Sequence, residues 1–155
     1  MENLFNKKLI NLNLKANTKK DAIKELASLI DSEDRLNNYD KYVDSVLKRE
    51  ELSTTGIGFH IGIPHGKCKD VKKTTIAFGR RKEGIDWDSL DDKPVKMIFL
   101  LAVPEKFASN EHLKILASLS KKLMDKNFRE KLSNLESEDD ILNLLTNVFN
   151  NALNK

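Results

Sequence analysis

The sequence predicts an α/β fold in which one β-sheet is covered by helices. Helical periodicity dominates the first and last thirds of the chain, whereas alternating or continuous apolar segments occupy the middle third. The 6 glycines and 3 prolines also lie in that middle part, where strands and tight turns need them. No linker divides the 155 residues into two cores, so residues 1–155 are expected to form a single domain.

The first third of the chain predicts one strand and two amphipathic helices. Apolar residues alternate loosely within residues 1–16 and indicate a short edge strand. Thr18, with Asp21 three residues later, has the spacing of a capped helix N-terminus, and apolar residues at helical spacing continue to residue 31. A second helix is predicted at about 39–51, with one apolar face formed by Tyr39, Tyr42, Val43, Val46 and Leu47.

The middle third predicts the strands of the sheet. Apolar residues alternate at every second position within residues 55–66, which indicates a strand or hairpin with several glycines. A second strand is predicted at Thr74–Arg80. The third, Val95–Val103, is almost continuously apolar, so we expect a central strand that is buried on both faces and ends at Pro104.

The last third is predicted to be helical. Asn110 can cap a helix that runs to about Met124, and a short helix is expected at Lys126–Leu132. Ser137, with Asp140 three residues later, has the spacing of a cap for the final helix.

The composition excludes several classes of protein. The longest apolar run, Met97–Val103, is far shorter than the roughly 18 residues that a membrane-spanning helix needs. No secretory signal is expected, because the first 15 residues have no continuous apolar stretch. The single cysteine, Cys68, rules out an internal disulfide framework and a thiol-rich metal site. The net charge of +3 is spread along the chain, so nucleic acid is not an expected partner.

His65 is the strongest candidate for chemistry. Pro64 restricts the backbone just before it, and Gly66 removes a side chain just after it. A histidine held in this way could act as a nucleophile, with one ring nitrogen reachable and the other tied by a hydrogen bond. The alternative is that Ile63–Gly66 is simply the end of a strand with an exposed histidine.

His112 and Arg49 are candidates that could act together with His65. His112 falls in the first turn of a predicted helix, on its inward face, where the positive end of the helix keeps a histidine neutral and favours an anion. Two neutral histidines could hold a phosphoryl group; otherwise His112 is a core residue. Arg49 follows Val46 by three residues and leans toward the buried stripe of its helix, where it could bind a carboxylate or a phosphate. The adjacent Glu50 is its ordinary partner.

The remaining polar candidates are weaker. Thr54 and Thr55 offer hydroxyl groups beside a glycine-rich turn, although turn formation alone explains such residues. His60 has the opposite parity to its neighbours in the predicted strand, so it is expected to be exposed and inert. His65 and Cys68 have a spacing that some metal sites use, but with no further ligands a metal is not expected. A Cys–His nucleophilic pair is the other interpretation of that spacing.

Five blocks occur in an order that resembles the fructose/mannitol-type enzyme IIA domain of the phosphoenolpyruvate-dependent sugar phosphotransferase system (EIIA type 2). They are Arg49–Glu50, Ser53–Gly58 (STTGIG), Ile63–Lys67 (IPHGK), Leu100–Glu105 (LLAVPE) and Glu111–Leu113 (EHL). The resemblance extends from about residue 9 to residue 145 and therefore covers nearly the whole chain. It implies a central mixed β-sheet flanked by helices on both faces, with no cofactor and no metal.

The resemblance also implies a role for each site residue. The histidine matching His65 accepts a phosphoryl group from the phosphocarrier protein HPr and passes it to a IIB domain, which makes the chain a protein-histidine phosphotransferase. His112 and Arg49 match residues that stabilise the phosphoryl group. Thr54 and Thr55 are further hydroxyl donors to it. Partners would dock on an apolar rim around His65, for which we expect Phe59, Ile61 and Phe107.

The resemblance leaves two branches of the family open. AFGR at Ala77–Arg80 and KEGIDW at Lys82–Trp87 are similar to the fructose-type transport branch, while the nitrogen-regulatory branch shares the His65 block. We expect the transport branch, acting in the cytoplasm with the IIB domain on a separate chain and the membrane IIC domain involved only indirectly. The chain departs from the family where His60–Ile63 replaces a common Gly-Ile-Ala-Ile. The sugar, the oligomeric state and the phosphorylated ring nitrogen stay open.

Overall fold

A computed structural model describes residues 4–105 and 111–153, which form a six-stranded sheet and five α-helices. The elements of this part, in chain order, are a 3₁₀ turn at Lys7–Leu9, β1 (Ile10–Asn11), α1 (Lys19–Ser32), α2 (Tyr39–Leu52), β2 (Gly56–Gly58), β3 (Ile61–Gly62), β4 (His65–Cys68), β5 (Thr75–Ile85), β6 (Val95–Pro104), α3 (Glu111–Leu123), α4 (Lys126–Asn134) and α5 (Glu138–Leu153). None of these helices is both long enough and apolar enough to cross a membrane.

The helices begin where side-chain caps are available. The Thr18 hydroxyl accepts a hydrogen bond from the Asp21 amide at 3.2 Å, which confirms the predicted start of α1. The Ser137 hydroxyl similarly accepts from the Asp140 amide at 3.4 Å at the start of α5. Asn38 caps α2 through the Lys41 amide at 3.0 Å. These short-range contacts use backbone N–H groups that have no partner inside the helix.

The sheet is mixed, and β6 is its central strand. The strand order is β1-β5-β6-β3-β2, with β4 also paired to β6. On one side β6 pairs antiparallel with β5, and on the other it pairs parallel with β3 and then with β4, which follow each other along the same edge. Nearly every residue of β6 is buried, which confirms the prediction of a central strand covered on both faces.

Two neighbouring residues of β5 show that helices cover both faces of the sheet. A Cβ at Gly79 would lie 2.9 Å from Leu26, so α1 packs against this face. Arg80 points to the opposite face, where it is 2% exposed and donates to the carbonyls of Leu132 and Leu135 at 2.9 and 2.7 Å. The buried guanidinium therefore binds the C-terminal end of α4 and joins that helix to the sheet.

Two sequence predictions need correction in their extent. The edge strand within residues 1–16 is confirmed at Ile10–Asn11 only, because a 3₁₀ turn precedes it. Strand β5 does not stop at Arg80 but continues to Ile85, through a second pairing of Ile85 with Val95 on β6. The predicted cap at Asn110 lies outside the described residues.

The turn between β2 and β3 has a left-handed backbone at three successive residues. Gly58, Phe59 and His60 have φ angles of +98°, +57° and +64°. A two-residue hairpin turn with positive φ at both central positions normally contains Asn or Gly, because a bulky side chain there costs on the order of 1 kcal/mol or more per residue. Phe59 and His60 are thus held in a strained turn by their surroundings.

Candidate functional site

His65 is the first residue of β4 and is half-buried. Its backbone pairs in parallel register with Leu101 of the central strand, and the preceding Pro64 carbonyl accepts from the Leu101 amide at 3.0 Å. The ring nitrogen Nδ1 lies 3.1 Å from the Ile63 carbonyl oxygen. Since a carbonyl oxygen can only accept, Nδ1 carries the proton in this contact, and in the neutral ring the lone pair is on Nε2.

Gly66 is required because α2 passes directly over β4. A Cβ at position 66 would lie 2.5 Å from the Ser45 hydroxyl and 2.8 Å from a methyl group of Val46, closer than side-chain atoms pack. Tyr42, on the same face of α2, donates its hydroxyl to the Leu101 carbonyl at 2.7 Å. Burial raises the pKa of Tyr42 well above its ordinary value, with a smaller contribution from Cys68. The helix is therefore fixed against the strand that carries His65.

Arg49 lies in the last turn of α2, on the side of the helix that faces β4. It follows Ser45 and Val46 by one turn and is half-buried, as the apolar spacing predicts. Its Nη1 donates to the Ser53 carbonyl at 3.0 Å, which ties the guanidinium to the chain just beyond the helix. That chain then approaches the histidine, because the Thr55 carbonyl accepts from the Ile63 amide at 3.0 Å. These contacts place both Arg49 and the strand residue His65 near the C-terminal end of α2.

Glu50, and not Arg49, occupies the buried end of the apolar stripe of α2. Its carboxylate is 3.0 Å from Lys19 Nζ at the start of α1, although the residue is only 9% exposed. The same carboxylate accepts hydrogen bonds from the Thr55 amide, at 3.3 Å, and from the Thr55 hydroxyl. The expected pairing of Glu50 with Arg49 is therefore wrong. Glu50 instead joins α1, α2 and the loop that precedes β2.

The two threonine hydroxyls are engaged in local structure. The Thr54 hydroxyl accepts from the Gly56 amide at 3.1 Å, and Thr55 donates to Glu50. The Thr54 contact is the turn chemistry that was the alternative for these residues, whereas the Thr55 contact joins the loop to α2. The side chain of His112 and all of Phe107 lie outside the described part of the chain, so their roles stay predictions.

The predicted apolar rim is only partly consistent with the structure. Ile61 is 0% exposed and cannot belong to a rim, because it pairs with β6 inside the sheet. Phe59 is 44% exposed, but the neighbouring His60 carbonyl accepts from the Lys96 and Met97 amides near the start of β6. His65 pairs four residues further along that strand, which is about 13 Å. Phe59 therefore lies toward the other end of β6 from the candidate nucleophile.

The prediction that His60 is exposed is wrong, whereas its lack of chemical activity stays a prediction. His60 is half-buried, and its Nδ1 donates to the Pro94 carbonyl at 2.8 Å. The parity argument treated it as a strand residue, whereas it is the second residue of the hairpin turn.

Cys68 has a free thiol near the Asp70 carboxylate, at 3.6 Å. Among the side chains that the structure describes, in residues 4–105 and 113–152, no three of His, Cys, Asp or Glu come together to hold a metal ion.

Comparisons with known proteins agree with this fold. Residues 3–148 match the family described as phosphoenolpyruvate-dependent sugar phosphotransferase system, EIIA 2. The chain is 44% identical over 140 residues to the fructose-specific EIIA component of a phosphotransferase system from Haloferax volcanii, with 90% of both chains covered. It therefore belongs to the EIIA type 2 family, whose members carry phosphoryl groups between proteins.

Two solved structures extend the comparison. The nitrogen regulatory protein IIA-Ntr from Neisseria meningitidis superimposes with a TM-score of 0.84 at 34% identity, covering 92% of this chain and 96% of that one. A complex of enzyme IIAMTL with phosphorylated enzyme IIBMTL from Escherichia coli contains a chain that matches with a TM-score of 0.79 at 30% identity, covering 93% and 99%. The relatives thus include transport components and a regulatory protein.

Proposed function

We propose that this protein is a phosphohistidine carrier that accepts a phosphoryl group from HPr on His65 and passes it to a fructose-type IIB domain. The observation that carries the proposal is the hydrogen bond from His65 Nδ1 to the Ile63 carbonyl, at 3.1 Å. It holds a half-buried imidazole in one orientation and in the tautomer that a nucleophile needs. The family match and the fructose-specific relative from Haloferax volcanii support a carrier role and the sugar class, and the complex of enzyme IIAMTL with phosphorylated enzyme IIBMTL supports a IIB domain as the acceptor.

The proposed acceptor atom is Nε2, because Nδ1 carries the proton. As the Nε2–phosphorus bond forms, the bond between phosphorus and the donor breaks, and the donor leaves with that electron pair. The ring gains positive charge as the bond forms. The Nδ1–H donor then bonds more strongly to the Ile63 carbonyl, since hydrogen bonds from charged donors are shorter and stronger. In the transfer to the IIB domain, the Nε2–phosphorus bond breaks as the phosphoryl group bonds to an acceptor atom of that domain.

Arg49 is proposed to stabilise the charge on the transferred group. Its contact with the Ser53 carbonyl uses one Nη1–H group and fixes the direction of the guanidinium. A guanidinium has several N–H donors in a fixed planar arrangement, so others can meet phosphoryl oxygens. Thr54, Thr55 and His112 are retained as further candidates. For Thr55, donation to a phosphoryl group would require that its hydroxyl leave Glu50.

A regulatory role is the second candidate function, and the match to IIA-Ntr from Neisseria meningitidis favours it. In that role the phosphorylation state of His65 would select binding partners, with no sugar taken up. The site around His65 serves both functions equally well. The distinction therefore lies in what accepts the phosphoryl group from this chain.

The test is a phosphotransfer series in vitro with radioactively labelled phospho-HPr, this protein and purified IIB domains. We expect a label on His65 that is labile in acid and stable in alkali, followed by its transfer to a fructose-type IIB domain. Failure to accept the label from HPr would refute the carrier function. Acceptance from HPr with no transfer to any fructose-type IIB domain would favour the regulatory role, as would a gene neighbourhood of nitrogen-control functions without IIB and IIC genes.

Replacement of His112 by glutamine is expected to separate acceptance from donation. The variant should still accept the phosphoryl group from HPr, because His65 is intact. It should donate the group slowly, because an amide on a longer, more flexible side chain replaces the imidazole N–H that is predicted to hold the phosphoryl group. Single-turnover rates of both half-reactions would measure the difference. Normal rates in both directions would leave His112 as a structural residue only.

A further inference from the structure

An open cavity of about 470 Å³ lies between the β2–β3 turn and α4, outside the site proposed above. Its volume is within the range of pockets that hold small molecules. His65 is not among its lining residues, and the pairing of β6 places the turn and the histidine about four strand residues apart. The cavity therefore needs an explanation that the phosphoryl site does not provide.

Two opposite walls of the cavity carry positive charge. Lys93 and Lys96 lie on one wall, in and after the segment that connects β5 to β6, while Lys126 and Arg129 project from α4 on the other. Within the described part of the chain, neither Lys93 nor Lys96 forms an ion pair. Positive charges on two opposite walls suit a ligand with anionic groups at both ends.

Two carboxylates also line the cavity, but both are already engaged. Asp91 accepts hydrogen bonds from the amides of Phe59 and Lys93, at 3.3 and 3.1 Å. Glu130 is 3.9 Å from Lys126, one turn along the same helix. The cations outnumber the acids, so the cavity is electropositive.

The strained turn is what builds the first wall. The His60 ring donates to the Pro94 carbonyl at 2.8 Å, and the His60 carbonyl accepts from the amides of Lys96 and Met97 at 2.7 and 3.0 Å. One residue thus holds the segment that presents both lysines. A glycine here would form the turn without strain, but it would lack the ring contact with Pro94.

The other half of the turn positions the second wall. The Arg129 guanidinium lies over the Phe59 ring, 4.0 Å from its centre, while its Nη1 donates to the Leu123 carbonyl at 2.7 Å. Stacking on an aromatic face and a backbone hydrogen bond together restrict the guanidinium to one orientation. The two bulky residues kept at positive φ therefore organise cations on both walls.

We propose that this cavity binds a small metabolite that carries two or more phosphate or carboxylate groups. Lys93 and Lys96 would bind one anionic group, and Lys126 with Arg129 would bind the other. The proposal does not depend on the phosphocarrier function, since it uses none of the residues around His65.

The test is an NMR titration of the full-length, ¹⁵N-labelled protein with fructose 1,6-bisphosphate and, separately, with citrate. We expect saturable shifts of amides in residues 59–60, 93–97 and 126–134 with at least one of these probes, and none with neutral fructose. The tighter of the two probes identifies the ligand as a phosphate ester or a polycarboxylate. Absence of saturation up to about 10 mM with both, or shifts confined to residues 63–66, would overturn the proposal.

Variants show whether the anionic ligand binds specifically in this cavity or is attracted to a basic protein in general. Replacing Lys96 or Arg129 by glutamine should weaken binding about tenfold, whereas Lys41→Gln, at an exposed position of α2, should not change it.

Glu130→Gln removes a negative charge from the cavity and should tighten binding severalfold, which partial unfolding could not do. His60→Gly should fold, because glycine accepts a φ of +64°, yet bind more weakly. Equal losses in Lys41→Gln and Lys96→Gln would show that no specific site exists.

Discussion

Replacing His65 by alanine is expected to lower phosphoryl acceptance from HPr at least about 10³-fold, to the level of background, because the variant has no acceptor atom. No other described histidine can take its place, since His60 lies toward the opposite end of β6 and its Nδ1 is bonded to the Pro94 carbonyl. The fold should survive, because His65 is half-buried and its strand pairing with Leu101 is made by the backbone. Label incorporation measures phosphoryl acceptance, and the urea unfolding midpoint separately measures the stability of the fold.

His60→Gly is the matched control for this experiment. It removes a histidine at a site where glycine satisfies the backbone, and it should accept phosphate at the normal rate. His65→Asn provides a second test, because its amide can still donate to the Ile63 carbonyl while offering no imidazole. If His65→Ala or His65→Asn retained acid-labile label, the phosphoryl group would rest on another residue and the assignment would be wrong.

The sequence was sufficient to predict features that depend on local chemistry. The caps at Thr18 and Ser137 involve contacts three residues apart, so their spacing alone predicts where α1 and α5 begin. The continuous apolar run of β6 likewise predicts a central strand, because only a strand covered on both faces needs it. The start of β4 at His65 is not among these features, because the apolar alternation within residues 55–66 predicts that His65 lies at the end of a strand.

The β2–β3 turn shows why local patterns can also mislead. Phe59 and His60 continue the apolar alternation of their neighbours, whereas a two-residue turn is normally indicated by Asn-Gly or Asp-Gly. Parity counted through an unrecognised turn assigns the wrong environment to His60. The expectation of a rim at Ile61 rests instead on partner docking near His65, and this residue is fully buried. Only the backbone angles reveal that these residues turn the chain.

The end of α2 shows a different limit. Arg49 and Glu50 both lie close to the apolar stripe, and adjacent opposite charges suggest a pair. The burial of Glu50 is instead stabilised by Lys19, which is 31 residues away in the chain. No spacing rule predicts such a contact, because it depends on how α1 packs beside α2. The orientation of the His65 ring has the same origin, since it depends on where the Ile63 carbonyl points.

Glu50 is connected to the proposed nucleophile by a continuous series of hydrogen bonds. The Glu50 carboxylate holds the Thr55 amide and hydroxyl, the Thr55 carbonyl accepts from the Ile63 amide, and the Ile63 carbonyl accepts from the ring of His65. Lys19 neutralises the buried carboxylate at the start of the series. We therefore expect Glu50 to act as a positioning residue for the ring of His65.

Replacing Glu50 by alanine should cost about 3 kcal/mol of folding stability, because it leaves the Lys19 ammonium and two donors of Thr55 without their buried acceptor. In the folded variant the maximal rate of phosphoryl acceptance should fall more than the apparent affinity for phospho-HPr, since the ring is misaligned while the docking surface is retained. Glu50→Gln can still accept a hydrogen bond from Thr55, so this variant should retain part of the stability and part of the transfer rate that Glu50→Ala loses. The adjacent Glu51→Ala, on the exposed side of α2, serves as the control and should change neither. A Glu50→Ala protein that loses stability but transfers phosphate at the normal rate would limit Glu50 to a purely structural role.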